Sequence, residues 1–392
     1  MKGWSLTMKK HIYFSPSKGH GTLPCQMLID LMKGGSIKDG DVKNIAPSSL
    51  DLTLTDEIYR IDGMVLPWVG VPVRDLLTHI GYHKHDLQYP LERSVLYLAK
   101  LRESLELPNG LYGYCNPKSS TGRTDVHVRV MTDGVPRYDA ITDDGIPKEL
   151  WLLITPKSFP VLLPPGETLT QLRIFNHDTR FDELGLKIAF GRDKLLWGTE
   201  TKPHAFTYND IMVSDHDGSV ILTLDCTHDV VGWECLGKSS VLDFSKRDHY
   251  QPEDFFRPLH RTDGMVRLKQ GAFYILYTRE RIRVPAHLAC EMVPVDERSG
   301  EFRSHYAGFI DPGWGWGANG SGVGRKLVLE VRPNEDLLIR DNQPIAKITF
   351  EHMAELPDVS YDTKIGSNYT IETFLPKLSK HFSMKHYDSQ PL

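Results

Sequence analysis

The sequence predicts a mainly β protein made of two related copies in tandem, with a few short helices. Three observations carry this. Most of the 392 residues fall into apolar or alternating runs of four to six, the length and pattern of strands. Pro and Gly, 25 and 32 of them, break up those runs. The run patterns also recur at a separation of roughly 170 to 177 residues, long enough for each copy to be a domain rather than a solenoid unit.

From the N-terminus, MKGWSLTMKKHIYFS has no apolar run long enough for a signal peptide. Leu23 to Met32 reads as a helix, with Pro24 at its start and Gly34-Gly35 as its stop. SLDLTL at Ser49 is the first strand and has its counterpart in SVILTL at Ser219. LPNGL at Leu107 pairs with VPAHL at Val284, LWLLI near Trp151 with LVLEV near Glu330, and TLTQLRIF ending at Phe175 with QPIAKITF ending at Phe350. VHVRV, in the first copy, and AFYILY, in the second, are further strands. A second helix is expected around Phe181 to Ala189. The stretch Gly191 to Tyr208 reads as the junction, dividing the chain into domains at residues 1–200 and 201–392.

Composition excludes some classes. Hydrophobic content is 40%, charged content 25% and net charge −5, as in an ordinary globular protein and unlike a general nucleic-acid binder. No apolar stretch approaches a membrane span. Five scattered cysteines (25, 115, 226, 235, 290) form no C-x-x-C pair, so neither a disulfide framework nor a zinc site is expected. A reduced, cytoplasmic protein is the natural reading.

Three segments carry candidate chemistry. NPKSSTGR, Asn116 to Arg123, offers two adjacent hydroxyls, a glycine and the cations Lys118 and Arg123. Those groups can hold phosphate, Arg123 as a fork and Lys118 as a point charge, although the segment alone reads more readily as a plain turn. KLVLEV places Glu330 inside an apolar run. An exposed edge strand would explain it blandly, but a carboxylate in such a run is costly to bury without purpose. GWGWGANGSGVG, Gly313 to Gly324, contains a formal G-x-G-x-x-G but precedes a strand, not a helix. It is therefore expected to be a long hairpin, with Trp314 or Trp316 packing at a domain contact, and not a dinucleotide site. SDHDG, Ser214 to Gly218, reads as a solvated turn rather than a metal site.

In order, PSSLDLTL, KSSTGR, AGFIDPGW, LVLE and the KITF strand resemble the dCTP deaminase branch of the dUTPase-like fold. The likeness is to the duplicated form, in which one chain carries two subunit-like β-clip (distorted jelly-roll) domains. The resemblance implies dCTP as substrate. It implies that Lys118, Ser119, Ser120 and Arg123 hold the triphosphate, that Asp311 contacts the deoxyribose and that Glu330 is the general base, with Val328 and Leu329 leading to it. Ala307 and Gly308 would let backbone groups approach the pyrimidine edge. The tail YDTKIGSNY resembles the segment that folds over the nucleotide, assigning Tyr361, Lys364 and Asn368, where the family usually has Gln at the last position; a disordered tail is the other reading.

The two halves are not equivalent. The first has S-S-x-x-R but reads Leu152-Leu153-Ile154 where the Glu is needed; the second has Asp311 and Glu330 but reads PVDERSGEF in place of S-S-x-x-R. Family sites lie between neighbouring domains, so KSSTGR and Glu330 are expected to complete one another. Whether they meet within one chain or between chains of a homo-oligomer stays open, as does feedback inhibition by dTTP, which is common in the family. The H-x-E and P-C-x-x-C signature of zinc deaminases is missing. Glu330 would then activate water without zinc, Ser119 would fix that water, and Mg2+ would enter with the triphosphate. Two other functions fit the same scaffold: dUTP diphosphatase, alone or joined to deamination, and a non-catalytic nucleotide sensor.

Overall fold

The computed structural model describes residues 19–142, 144–198, 203–211, 213–294, 298, 302–304, 308–363 and 373–388. Helix α1, Cys25–Lys33, follows Pro24 and ends at Gly34, burying Cys25, Met27, Leu28 and Leu31 on one face. Strands β1 (Leu50–Ile61) and β2 (Leu96–Leu105) flank the short helix α2 (Val73–Leu76). Then come β3 (Tyr112–Pro117), helix α3 (Ser119–Gly122), β4 (Val126–Thr132), β5 (Lys148–Pro156) and β6 (Thr168–Phe175). Helix α4 (Glu183–Asp193) leads to the second set. That set is β7 (Ser219–Thr223), β8 (Val230–Cys235), β9 (Phe256–His260), β10 (Tyr274–Ile282), β11 (Leu288–Val293), β12 (Arg325–Pro333) and β13 (Pro344–His352).

The repeat survives as hydrogen bonding. In the first copy the sheet runs β4-β5-β2-β1-β6-β3; in the second, β9-β8-β10-β12 forms one sheet and β7-β13-β11 another. The Thr53 amide donates to Glu103 at 2.8 Å, and at the matching position the Thr223 amide donates to Glu280 at 2.8 Å. Leu98 faces Leu153 across β2 and β5, as Ile275 faces Glu330 across β10 and β12. Leu153 therefore stands where the second copy has its carboxylate.

Packing departs from a simple division at residue 200. Helix α4 buries Leu186, Ala189 and Phe190 in the second copy's core. Conversely Trp233, Phe255, Phe256, Phe273 and Ile275 of the second copy, with Leu375, Leu378, Phe382 and Met384 of the C-terminal segment, pack into the first copy's core. The first core is thus built from residues of both copies. Strand alternation explains how β12 serves both sides: Leu327, Leu329 and Val331 point into the second core, while Val328 packs on the first. The equivalent face of β5 is sealed by its own copy, where Trp151 and Leu153 lie under Val73, Leu76 and Leu77.

Candidate active site

Glu330 lies on the β12 face that meets the first copy, and the first copy offers it Arg123. The guanidinium Nε is 3.7 Å from Glu330 Oε1, and both side chains are almost fully buried. Two residues further along the same face, Arg332 pairs with Asp125, which Ser158 also engages. KSSTGR and Glu330 therefore meet within one chain. The Glu330 Oε1 atom is buried without a hydrogen-bond partner. Burial pushes its carboxyl up to about 8, against the opposing pull of Arg123. A carboxyl so placed exchanges protons near neutral pH, as a general acid–base group must.

Helix α3 is the SSTG segment itself. The Lys118 carbonyl accepts from the Thr121 and Gly122 amides, and the Arg123 amide donates to Ser119 O. Ser119 is half-buried and Ser120 buried. Arg123 also donates from Nη1 to Lys377 O at 2.6 Å, and Ser379 Oγ donates to Ser120 O at 3.1 Å. The C-terminal segment is thus strapped across α3, a contact no motif announced. Lys118 pairs with Asp51 and donates to Thr168 at 2.7 Å, so the cation is held at the mouth of the segment by two first-copy groups. Of the two expected phosphate cations, Lys118 is the more exposed; Arg123 is turned inward to the carboxylate.

Asp311 sits at the start of the D-P-G turn. Gly313 there has φ of 90°, and a Cβ would lie 2.6 Å from that of Ser360, so glycine is required on both counts. Ser48 Oγ donates to Asp311 Oδ1 at 2.7 Å, and Arg173 Nη2 lies 3.6 Å from the same oxygen. Between the groups around Asp311 and those around Lys118, Ser49 Oγ donates to Gln171 Oε1 at 3.5 Å, and Gln171 is the strand partner of Asp51.

Val328 faces the junction, whereas the Leu329 side chain is wholly inside the second core, leaving only its backbone to meet a ligand. The Tyr361 ring packs at a tilt against Trp314, with centroids 4.9 Å apart, and the Tyr361 amide donates to Pro312 O, beside the D-P-G turn. Ala307, Lys364 and Asn368 lie outside the described residues. The glycine-rich stretch is not a β-hairpin, since the strands before and after it pair with other strands; it is a loop folded back through Gly322 N–Trp316 O and Gly324 N–Gly315 O bonds, and Trp316 lies 4.0 Å from the Arg283 guanidinium. Trp314 packs against the second core, and Trp316 against Arg283 of the same copy. In the SDHDG turn Lys347 pairs with Asp215 and Asp217. Among the described residues, no group of three or more His, Cys, Asp or Glu could hold a metal ion, and no helix is long and apolar enough to cross a membrane.

Ser48, Asp51 and Arg173 are the site neighbours that the motif reading passed over. Arg173 had a signal: it is a lone charge in the apolar run TLTQLRIF, the same anomaly that singled out Glu330.

Two family models match the chain. The model of the 2'-deoxycytidine 5'-triphosphate deaminase N-terminal domain matches residues 19–178, and that of the C-terminal domain residues 201–382. Among solved structures, the chain is similar to the crystal structure of 2'-deoxycytidine 5'-triphosphate deaminase from Agrobacterium tumefaciens. The identity is 33% and the TM-score 0.76, over 87% of this chain and 100% of that one. No curated protein matches the chain significantly.

Proposed function

Because this chain belongs to the dCTP deaminase family, and is an enzyme that deaminates dCTP, we propose that Glu330 activates the attacking water and that KSSTGR of the other copy holds the nucleotide against it. The observation that supports this most is the buried pair itself: a carboxyl whose Oε1 accepts no hydrogen bond and lies 3.7 Å from an arginine that closes the S-S-x-x-R segment.

The reaction is dCTP plus water giving dUTP plus ammonia. Glu330, ionised, takes a proton from water as the oxygen bonds to C4 of cytosine. It returns that proton to N3, giving a tetrahedral carbon that bears both the new hydroxyl and the amine. Glu330 then takes the hydroxyl proton and delivers it to the amine; the C4–N bond breaks and ammonia leaves. Ser119, as donor and acceptor, orients the water. Arg123 steadies the carboxylate and accounts for part of its readiness to ionise despite burial. Lys118, released from Asp51, and the Ser120 hydroxyl would meet phosphate. Asp311 would take the deoxyribose, and Tyr361 would close on the nucleotide. A Mg2+ entering with the triphosphate would be held by phosphate oxygens and water, and the water-activating step asks nothing of it. The dUTP formed would supply thymidylate synthesis.

Incubation with dCTP and with dUTP, following ammonia and pyrophosphate separately, tests the reading. Ammonia equal to the dUTP formed, without pyrophosphate from either substrate, is expected. Pyrophosphate release would instead mean a bifunctional enzyme or a diphosphatase, and binding without either product would mean a sensor.

A further inference from the structure

We propose that Ser48 and Arg173, both from the first copy, are positioning residues that set the Asp311 carboxylate of the second copy for recognition of the 3'-hydroxyl of dCTP. This rests on the reading of Asp311 as the sugar residue. The deoxyribose of a 5'-triphosphate has one free hydroxyl, at C3', so a carboxylate that contacts the sugar through a hydrogen bond accepts from that group.

Two buried groups converge on Asp311 Oδ1. Ser48 Oγ donates to it at 2.7 Å across the junction of the copies. Arg173 Nη2 donates to Ser48 Oγ at 3.0 Å and lies 3.6 Å from Asp311 Oδ1 itself. Ser48 and Arg173 are wholly buried, and Asp311 nearly so. The Ser48 hydroxyl proton is therefore committed: Arg173 occupies its acceptor side, which leaves the hydroxyl to donate to Asp311.

Arg173 is fixed on its other edge. Its Nη1 donates to Glu351 at 3.1 Å and to Cys290 O at 3.1 Å. The Phe309 ring lies 4.1 Å from the guanidinium carbon, two residues before Asp311. A guanidinium clamped on one edge and covered by a ring presents a fixed second edge to Ser48 and Asp311. The carboxylate is thereby oriented by groups that themselves cannot turn, as precise recognition requires. The arrangement also ties the sugar end of the site to the first copy, as Arg123 ties the base end.

The test compares kcat and KM for dCTP and for 2',3'-dideoxy-CTP in wild type, Ser48→Ala, Ser48→Thr and Asp311→Asn. Ser48→Ala should lower kcat/KM for dCTP by about tenfold, mostly through KM, and leave the dideoxy substrate nearly unchanged. Ser48→Thr, which keeps the hydroxyl, should restore most of the preference for dCTP. An S48A enzyme that keeps the wild-type preference, or loses both substrates equally, overturns the proposal. If S48A does not fold, Ser48→Cys, a weaker donor of similar shape, is read the same way. The Asp311→Asn enzyme separates the two claims. If it keeps the wild-type preference, the sugar reading of Asp311 is wrong; if it loses the preference while S48A keeps it, only the positioning role falls.

Discussion

Replacing Glu330 by Gln keeps the shape of the side chain and removes its charge and proton acceptance. The loss of a general base predicts a fall in dCTP turnover of about a hundredfold or more, with dCTP binding retained. The structure also predicts a second, independent signature. The carboxyl ionises near 4.5 when exposed and near 8 in the fold because burial disfavours its charge. Between those values the folded chain holds a proton that the unfolded chain releases, so the group's contribution to stability falls as pH rises through that window. A shift of this size corresponds to on the order of 5 kcal/mol. E330Q has no such dependence. Its stability relative to wild type should therefore climb from near parity around pH 4.5 to a gain of a few kcal/mol above pH 8. Urea midpoints at pH 5, 6.5 and 8, followed by tryptophan fluorescence, measure this as a difference, so unfolding steps common to both proteins cancel. Parallel stability curves for the two proteins would refute the claim that Glu330 is held protonated by burial, and wild-type turnover in E330Q would remove it from the role of base.

Three more outcomes follow from the same geometry. In wild type, kcat/KM for dCTP should rise tenfold per pH unit on the acid side and level off near pH 8, since the base must ionise to act; a flat profile from pH 6 to 8 would contradict that assignment. Zinc chelators should leave activity intact while removal of Mg2+ raises KM for dCTP; stoichiometric zinc lost together with activity would contradict zinc-free water activation. Leu153→Glu puts a carboxylate at the sealed position under Val73, Leu76 and Leu77. It should cost about 2–5 kcal/mol in chemical denaturation without adding a second dCTP site, and a stable variant binding two dCTP per chain would show that the sealed face is still competent.

Much of the fold could be read from the sequence because both copies obey simple local rules. Strand alternation located the paired strands, Pro24 and Gly34 bounded α1, and the recurrence of strand patterns exposed the duplication. The anomaly of a carboxylate in KLVLEV drew attention to Glu330, and it lies beside Arg123. The rest depended on contacts between residues far apart in the chain. Nothing local shows that Lys377 and Ser379 lie across α3, or that Ser48 reaches Asp311. The α4 region packs with the second copy and the C-terminal segment with the first, because each buries its apolar face in the core it meets and not in chain order. The inward turn of Arg123 was equally hidden: as a motif residue it looked like a phosphate cation, and only the fold reveals the carboxylate beside it.

The central claim is that one chain supplies both halves of its site, and mixing two inactive variants tests it most directly. Ser119→Ala removes from the first copy the hydroxyl proposed to orient the water, and Glu330→Gln removes from the second the proposed base. The two chains should be co-expressed with different tags, mixed species isolated where chains associate, and ammonia release from dCTP measured. Because Arg123 and Glu330 of the same chain are 3.7 Å apart, every site in the mixture keeps one defect, and activity should stay at the level of the separate variants. Recovery toward a quarter or more of wild-type activity, on the order expected when intact halves pair between chains, would contradict the account and move the site to an interface between subunits.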